Sequence, residues 1–461
     1  MSLALPIVVA ALALLSFALA PKAKNTEGFF GGLSPSGESP SLLTLVLSQV
    51  TTWIFARSLL NAAILGFYYG LWGTLAYAAY YLSFLTGAGI IDSIRFKHGY
   101  NSVQSFLKDR FGSVGTSCYN LVVALRLISE VFANILVIGI LFGAAGTGSY
   151  TIAVMAFGAI ALIYSMLGGL HASLRTDVMQ MLIFIGVLIM LLISTFANDL
   201  YSIEALSFVS FSIDEPGPIL LIVALLQVWS YPMHDPVMMD RGFLADRTTT
   251  RKSFLHAAWV SVICIASFGS LGIIAGANAL DGESMNLALE RLLGDMPMLL
   301  FNIALVVSAM STLDSTLSSS AKLVAVDMKS VKPTVQNGRI VMLVFMALGL
   351  FMVFAGNKDL FSAVAVSGTA SMYLAPVIFF SLWAGIKNIP VWSYLSAFVM
   401  AFGGALLYFL ESSGHTALLG EAHKYTKLLW ISLFVLIGGC AAFALGWFLQ
   451  RLSPAELNKA V

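Results

Sequence analysis

Long apolar runs are the feature that most limits the folds open to this chain. A helix needs about 20 apolar residues to cross the hydrocarbon core of a bilayer, where all backbone hydrogen bonds must be made inside the segment. The sequence therefore predicts an all-α polytopic membrane protein with thirteen transmembrane helices. The thirteen runs lie near residues 3–20, 41–67, 69–92, 115–146, 150–168, 176–196, 217–240, 254–279, 296–325, 337–355, 358–385, 391–410 and 427–449.

The composition is typical of a membrane protein and unlike that of a soluble or nucleic-acid-binding protein. Of the 461 residues, 59% are hydrophobic and 10% are charged, whereas soluble proteins carry about a quarter charged residues. The net charge of +1 gives no reason to expect a nucleic-acid partner. Cys118, Cys264 and Cys440 are far apart, without disulfide or metal-ligand spacing, and we expect them to be small buried hydrophobes.

The basic residues predict the orientation in the plasma (inner) membrane. With the N-terminus outside and the C-terminus in the cytoplasm, 18 of the 24 Lys and Arg residues fall on the cytoplasmic side or at the span ends beside it. Two more, Arg57 and Arg126, lie within spans. The four that remain outside are Arg291, Lys358, Lys424 and Lys427.

The first apolar run is expected to be a membrane helix and not a cleaved signal peptide. No basic residue precedes it, Pro21 would follow the cut, and Lys22 and Lys24 come directly after it.

No connection is long enough for a soluble domain, so residues 1–461 are expected to form one transporter domain. Within it, 3–20 is peripheral, 41–196 and 217–385 are two five-helix sets of opposite orientation, and 391–449 holds two further helices.

Polar groups inside the spans mark the candidate sites, because ionisable side chains in a bilayer are costly and default to a functional interpretation. Ser308, Ser311, Thr312 and Ser315 fall on one stripe of a helix in SAMSTLDSTLSSS, at 308–320. Their oxygens suit a hard cation such as Na⁺; the alternative is that these hydroxyls serve helix packing or bond back to carbonyls. The ionisable residues within spans are Arg57, Arg126, Glu130, Asp177, His234, Asp235 and Asp314.

Two spans carry signs of interruption. SQVTTWIFARS, at 48–58, is a polar and β-branched stretch in mid-span, and WSYPMHDP contains Pro232 and Pro236, which discourage continuous helix. These stretches lie in the first helix of each five-helix set. Interrupted helices in corresponding positions of two halves point to a binding site near the bilayer midplane.

These residues resemble the sodium:solute symporter family, which includes bacterial proline, sialic acid and galactose transporters. The resemblance covers roughly residues 40–385 and rests on SAMSTLDS, on GGLHASLRTDVMQ at 168–180, on WSYPMHDPVMMDRGFLADR at 229–247 and on the break at 48–58. It implies the leucine-transporter type of 5+5 inverted repeat, with one extra N-terminal and two extra C-terminal helices.

The resemblance also implies sodium sites. The first would use carbonyls near Leu47 and Val50, the Ser308 carbonyl, and the hydroxyls of Ser311 and Thr312. A second, known in some members, would use Asp177 with Ser311, Asp314 and Ser315. For Asp177, the alternatives are an ion pair with Arg175 or a helix N-cap.

The sequence constrains the identity of the substrate less than it constrains the sodium sites. Gln49 stands where proline transporters carry an aspartate, and TTWIFARSL replaces a glycine-rich segment, which puts proline in doubt. Arg126 and Glu130, four residues apart, are expected to pair, leaving Arg57 to bind a carboxylate or to pair with an acid such as Asp235. The residues expected to line the solute site are Thr51, Thr52, Arg57, Arg126, Glu130, Tyr231 and Asp235.

The sequence thus predicts sodium-coupled uptake of a small polar organic solute, an amino acid or a carboxylate, by alternating access, with Na⁺ as coupling ion and no other cofactor. The expected partners are the solute, Na⁺ and lipid, with the oligomeric state left open.

Two alternative functions remain open. One is a proton-coupled symporter in which Asp177 or Asp314 titrates. The other is a transporter-like sensor, which would need a separate signalling partner because the 12 residues after the last run are too few for a signalling domain. A metalloenzyme using His171, His234, Asp235 and Asp177 lacks any HExxH-type spacing, so no enzyme is expected.

Overall fold

A computed structural model describes residues 3–23, 25–34, 37–196, 209, 212–355 and 360–452, without the side chains of 360–364. Every regular element in these residues is helical. The helices are α1 Ala4–Leu19, α2 Thr26–Gly31, α3 Leu42–Trp53, α4 Ala56–Ala79, α5 Ser83–Ile91, α6 Val103–Phe142, α7 Gly148–Phe196, α8 Pro216–Gln227, α9 Pro236–Gly242, α10 Arg247–Ala277, α11 Met285–Leu293, α12 Asp295–Lys322, α13 Val335–Ala355, α14 Leu360–Ser371, α15 Val391–Ser412 and α16 Lys424–Arg451. Turns of π-helix follow α5 at Asp92–Lys97, α12 at Leu323–Asp327 and a single helical turn, Leu374–Pro376, at Val377–Trp383.

The described residues contain eight helices long and apolar enough to cross a membrane, or nine if the bent pair Ala365–Ser371 and Leu374–Trp383 is one span. Three shorter apolar helices, α1, α3 and α8, accompany them. The all-helical membrane class is therefore confirmed, whereas the count of thirteen spans stays a prediction. Lys24, Lys358 and the tail beyond residue 452, which entered the orientation argument, lie outside the described residues.

Three long helices contain a glycine at which two helical segments meet at a kink: Gly70 in α4, Gly112 in α6 and Gly169 in α7. A straight helix of the 49 residues of α7 would be about 74 Å long, against a hydrocarbon core of about 30 Å. Gly169 has a φ of 56°, and a Cβ there would come within 2.4 Å of the Phe29 carbonyl oxygen. The short helix α2 thus packs directly on the kink of α7.

Helix α12 lies in the interior of the bundle. Every residue from Ala304 to Ala321 is buried, and α12 packs against α7, α6, α13 and α3. The polar stripe recognised in the sequence consequently faces protein and not lipid. Ser318 and Ser320, which are not part of that stripe, are also buried, and their hydroxyls bond back to carbonyls of α12 itself at 2.8 and 2.7 Å.

Candidate functional site

The first interruption separates α3 from α4 at Ile54 and Phe55. Phe55 is extended, with φ −61° and ψ 150°. Side chains of other helices take up the backbone groups that the break releases: Tyr81 donates to the Trp53 carbonyl at 2.9 Å, Ser308 donates to the Ile54 carbonyl, and the Ala56 amide donates to Asn134 Oδ1 at 3.1 Å. Such outside partners allow a broken helix at membrane depth.

The second interruption runs from Val228 to Asp235, between α8 and α9, with a short 3₁₀ turn at Tyr231–His234. Thr86 donates to the Val228 carbonyl at 2.6 Å, and Tyr119 donates to the Met233 carbonyl at 2.7 Å. Asp235 then caps α9, accepting the Met238 amide at 3.0 Å. Both interruptions predicted from the sequence are present.

The two interruptions meet. Trp53 at the end of α3 donates its indole N–H to Asp235 Oδ2 at 3.0 Å, and its ring lies edge-on to Tyr231 with centroids 5.7 Å apart. Beside this contact is a cavity of about 20 Å³, room for a single water molecule. It is lined by Trp53, Phe55, Arg57, Ser58, Tyr77, Tyr80, Tyr81 and Tyr231.

A buried chain of four charged residues borders the cavity. Glu130 contacts both Arg57 and Arg126, and Arg126 Nη2 also donates to Asp235 Oδ2 at 2.9 Å. Two positive and two negative groups therefore balance, each at most 2% exposed. The expected Arg126–Glu130 pair forms. Contrary to expectation, this pairing does not leave Arg57 available for another acid, because Glu130 contacts the Arg57 guanidinium as well.

The predicted first sodium ligands lie where α12 passes the break in α3. Ser308 touches the break through the Ile54 carbonyl, and the Thr312 hydroxyl donates to the Ser308 carbonyl at 2.9 Å. Ser311 instead donates to Asp177 Oδ1 at 2.7 Å. On α3, Leu47 and Val50 are buried, and the Val50 carbonyl accepts the Ile54 amide at 2.9 Å.

The predicted second sodium ligands form a separate polar cluster between α7 and α12. Asp314 accepts hydrogen bonds from Thr176 at 2.8 Å, Ser173 at 3.0 Å and Ser315 at 3.2 Å. Asp177 does not pair with Arg175, the partner that the sequence suggested. Its Oδ2 instead accepts from Ser48 at 2.6 Å and from the Arg241 guanidinium at 3.1 Å.

The other predicted solute-site residues are buried on α3. Thr51 is 2% exposed, and the Thr52 hydroxyl bonds back to the Ser48 carbonyl at 2.7 Å. Between these residues and Ser48, the Gln49 side chain is 1% exposed, and neither its Oε1 nor its Nε2 has a hydrogen-bond partner among the described residues. A buried amide without a partner is costly, so Gln49 is available to a polar ligand.

Histidine and acid residues do not assemble a metal centre. His234 contacts the Tyr231 carbonyl at 2.5 Å and Ser367 at 3.0 Å through its two ring nitrogens. His171 instead lines a different cavity, of about 670 Å³, together with residues of α1 such as Leu15 and Leu19. Within the described ranges, no group of three or more His, Cys, Asp or Glu side chains is placed to hold a metal ion.

Sequence reasoning missed several residues that complete these clusters. Arg241 was counted only as a basic residue at a cytoplasmic span end, yet its side chain is fully buried. Trp53, Ser173 and Asn134 were not singled out either. Arg241 does lie within the motif WSYPMHDPVMMDRGFLADR, shortly after the second interruption. Its partners, however, lie on three other helices, so no local pattern indicated its role.

Comparison with known proteins gives one family match, over part of the chain, and several solved structures of similar fold. The model of the sodium:solute symporter family matches residues 37–207, a range that contains the GGLHASLRTDVMQ motif and the break after α3. This match confirms the resemblance inferred from the motifs. No curated protein matches the chain at the level of sequence.

Solved structures share the fold at low sequence identity. A Na⁺-coupled sialic acid symporter in a substrate-bound, outward-open state aligns with a TM-score of 0.72 at 15% identity, over 96% of this chain and 97% of the other. A nucleobase-cation-symport-1 family transporter, closed with bromovinylhydantoin bound, aligns with a TM-score of 0.52 at 16% identity, over 89% and 95%. A mutant manganese transporter of Eremococcus coleocola gives 0.52 at 10% identity, over 94% and 98%.

Proposed function

We propose that this chain is a sodium-coupled symporter that takes up a small polar organic solute, an amino acid or a carboxylate, by alternating access. The family match and the fold shared with a Na⁺-coupled symporter support sodium-coupled transport. The proposal includes thirteen spans arranged as a 5+5 inverted repeat, with the N-terminus outside and the C-terminus in the cytoplasm. Two of the glycine kinks support this count, because Gly70 lies at the boundary between the predicted spans 41–67 and 69–92, and Gly169 lies between the predicted spans 150–168 and 176–196.

The observation that carries the proposal is the meeting of two interrupted helices beside a buried hydroxyl stripe. Ser308 on α12 touches the break after α3, and Trp53 at that break touches Asp235 at the break before α9. Released backbone groups at membrane depth are tolerated where they line a site. Na⁺ would bind between α3 and α12, and the solute would bind on the Trp53 side of the same breaks.

Both ligands would bias one equilibrium between outward-facing and inward-facing states, so each raises the affinity for the other. Each Na⁺ then contributes about 2.3 kcal/mol per 100 mV of membrane potential, and about 1.4 kcal/mol per tenfold concentration ratio.

The solute class follows from the chemistry of the cavity. In the described part of the chain, Nε and Nη1 of Arg57 have no hydrogen-bond partner, and a guanidinium is well matched to a carboxylate. The charged network is already neutral, with Arg57 and Arg126 against Glu130 and Asp235. A zwitterion keeps that balance, which favours an amino acid over a simple anion. The aromatic walls would bury the apolar part of such a solute.

A proton-coupled cycle is the second candidate, because Asp314 has hydroxyl partners but no basic partner within the described residues.

Uptake by proteoliposomes decides between sodium coupling and proton coupling. Sodium, proton and voltage gradients are set independently, and radiolabelled amino acids, carboxylates and sugars are screened. We expect accumulation that requires an inward Na⁺ gradient. Uptake that ignores Na⁺ and follows a proton gradient would overturn the sodium proposal.

A further inference from the structure

A fully buried arginine lies among the predicted ligands of the second sodium site. Arg241 is the sixth residue of α9 and is 0% exposed. Its Nε donates to Ser48 Oγ on α3 at 2.7 Å, and its Nη2 donates to Asp177 Oδ2 on α7 at 3.1 Å and to Ser315 Oγ on α12 at 2.8 Å. One guanidinium thus joins three helices that carry the predicted sodium ligands.

The remaining contacts of Arg241 complete this arrangement. Its Nη2 is 3.4 Å from Ser173 Oγ, and its Nη1 donates to the Val237 carbonyl one turn earlier at 3.0 Å. The partners are hydroxyls, a carbonyl and one carboxylate, which are also the oxygen donors that a hard cation uses. Asp177 has no other basic partner among the described residues.

We propose that the Arg241 guanidinium fills the second cation position as a tethered counter-ion of Asp177, so that this transporter couples to one Na⁺ and not to two. This inference rests on the proposed sodium-coupled function and fixes its ion stoichiometry. The single Na⁺ is assigned to the position between α3 and α12.

The physical reason is competition for the same oxygens and the same charge. A Na⁺ bound to Asp177 and Ser315 would lie beside a guanidinium that keeps its charge in proteins, and two neighbouring cations repel strongly in a buried site. Arg241 also has little freedom to withdraw, because it is fully buried and five hydrogen bonds hold it. Removing the guanidinium leaves Asp177 and three hydroxyls without their cation, which is a vacant Na⁺ site.

The test is equilibrium binding of radioactive sodium to purified protein in detergent, which does not require the solute to be known. The chains compared are the wild type, Arg241→Gln, Arg241→Lys and the double variant Arg241→Gln with Asp177→Asn. We expect one Na⁺ bound per wild-type chain and per Arg241→Lys chain, which keeps the positive charge. Arg241→Gln should bind two, and the double variant should return to one because the second ion needs the Asp177 carboxylate.

The outcomes separate the inference from the function on which it rests. Two Na⁺ per wild-type chain would overturn the inference and leave sodium coupling intact, whereas no Na⁺ binding would remove the proposed function itself. One Na⁺ on the wild type and still one on a folded, monodisperse Arg241→Gln chain would show that Arg241 does not occupy a cation site. If Arg241→Gln does not fold, the wild-type count still decides between one and two ions.

Discussion

At the scale of single residues, Glu130 is the most consequential charge in the solute region. It is 2% exposed and contacts both Arg57 and Arg126, while Asn134 donates to its backbone carbonyl at 2.9 Å. Removing one member of a buried charge network leaves the others uncompensated, which costs far more than the intact network contributes. Glu130 is therefore the carboxylate that contacts both arginines, while Asp235 pairs with Arg126 and completes the charge balance.

We predict that Glu130→Gln lowers the free energy of unfolding by about 3–5 kcal/mol, seen as a lower midpoint of thermal denaturation in detergent. Ser129→Ala is the matched control, since the hydroxyl of this neighbour donates to the Arg126 carbonyl at 2.7 Å and to no other group in the part of the chain that the structure describes; it should change stability by about 0.5 kcal/mol or less. Equal stability of Glu130→Gln and the control would mean that Glu130 does not neutralise the arginines.

The hydroxyls of α12 allow a second prediction at this scale. Replacing Ser311 and Thr312 together by Ala removes two proposed ligands of the first Na⁺, and should raise the Na⁺ concentration for half-maximal binding at least about tenfold, or about 1.4 kcal/mol. Sodium titration of the purified protein measures this. Ser318→Ala is the control, because its hydroxyl is also buried but, among the described residues, bonds only to the Asp314 carbonyl. An unchanged Na⁺ affinity in the double variant would return these hydroxyls to a packing role.

Residue spacing predicts contacts within one helix and little beyond it. The Arg126–Glu130 pair follows from positions four apart, and the structure contains it. The pairs Arg57–Glu130 and Arg241–Asp177 join residues 73 and 64 positions apart. Such pairs depend on how helices pack, which no local pattern encodes. This is why Glu130 was not predicted as the partner of Arg57, for which a carboxylate ligand or an acid such as Asp235 was expected, and why Arg241 was overlooked.

At the scale of helices, close packing of α4 against α10 depends on glycine. A Cβ on Gly272 would lie 1.9 Å from the Ala63 carbonyl oxygen, and one on Gly66 would lie 2.3 Å from the Gly269 carbonyl oxygen. Small residues let helix backbones approach in membranes, where lipid supplies no hydrophobic drive for association. The first half of α4 carries Arg57, so this contact also positions the solute region.

We predict that Gly272→Ala destabilises the protein by about 1–3 kcal/mol, because the backbones must separate to admit the methyl group. Gly403→Ala in α15 is the control, since a Cβ there meets nothing within 4 Å. Thermal denaturation in detergent measures both variants. A Gly272→Ala chain as stable as Gly403→Ala would show that α4 and α10 do not need this approach.

The positions of most helices could be predicted from the sequence because apolar length is a local property. The run at 296–325 corresponds to Asp295–Asp327, and that at 391–410 corresponds to α15, Val391–Ser412. The short helices α2 and α11 were not predicted, since they are too short for a hydropathy signal. The family resemblance, and not periodicity, supplied the pairing of α3 with α12 at the predicted sodium site.

At the scale of the whole molecule, the described conformation is closed around the solute region. The cavity of about 20 Å³ holds one water molecule and no organic solute, so transport requires the helices around it to separate. On the side where α9 ends, Asp240 contacts Lys322 and accepts from Ser319 at 2.8 Å, both on α12. Arg95 adds hydrogen bonds to the carbonyls of Gly242 and Ala245 at 3.0 and 2.6 Å.

The Asp240 contacts with Lys322 and Ser319 join α9 to α12. Removing the Asp240 carboxylate should therefore favour opening of the molecule on that side. In a chain with Cys118, Cys264 and Cys440 replaced by Ser, and with the buried Ser318→Cys as reporter, we predict that Asp240→Asn accelerates labelling by a polar maleimide about tenfold. Loss of about 1.4 kcal/mol from the closed state changes the ratio of open to closed molecules by that factor. Asp92→Asn is the control, because Asp92 pairs with the exposed Arg247 and such pairs stabilise little. Equal labelling rates in the two variants would show that the contact between α9 and α12 does not hold the molecule closed.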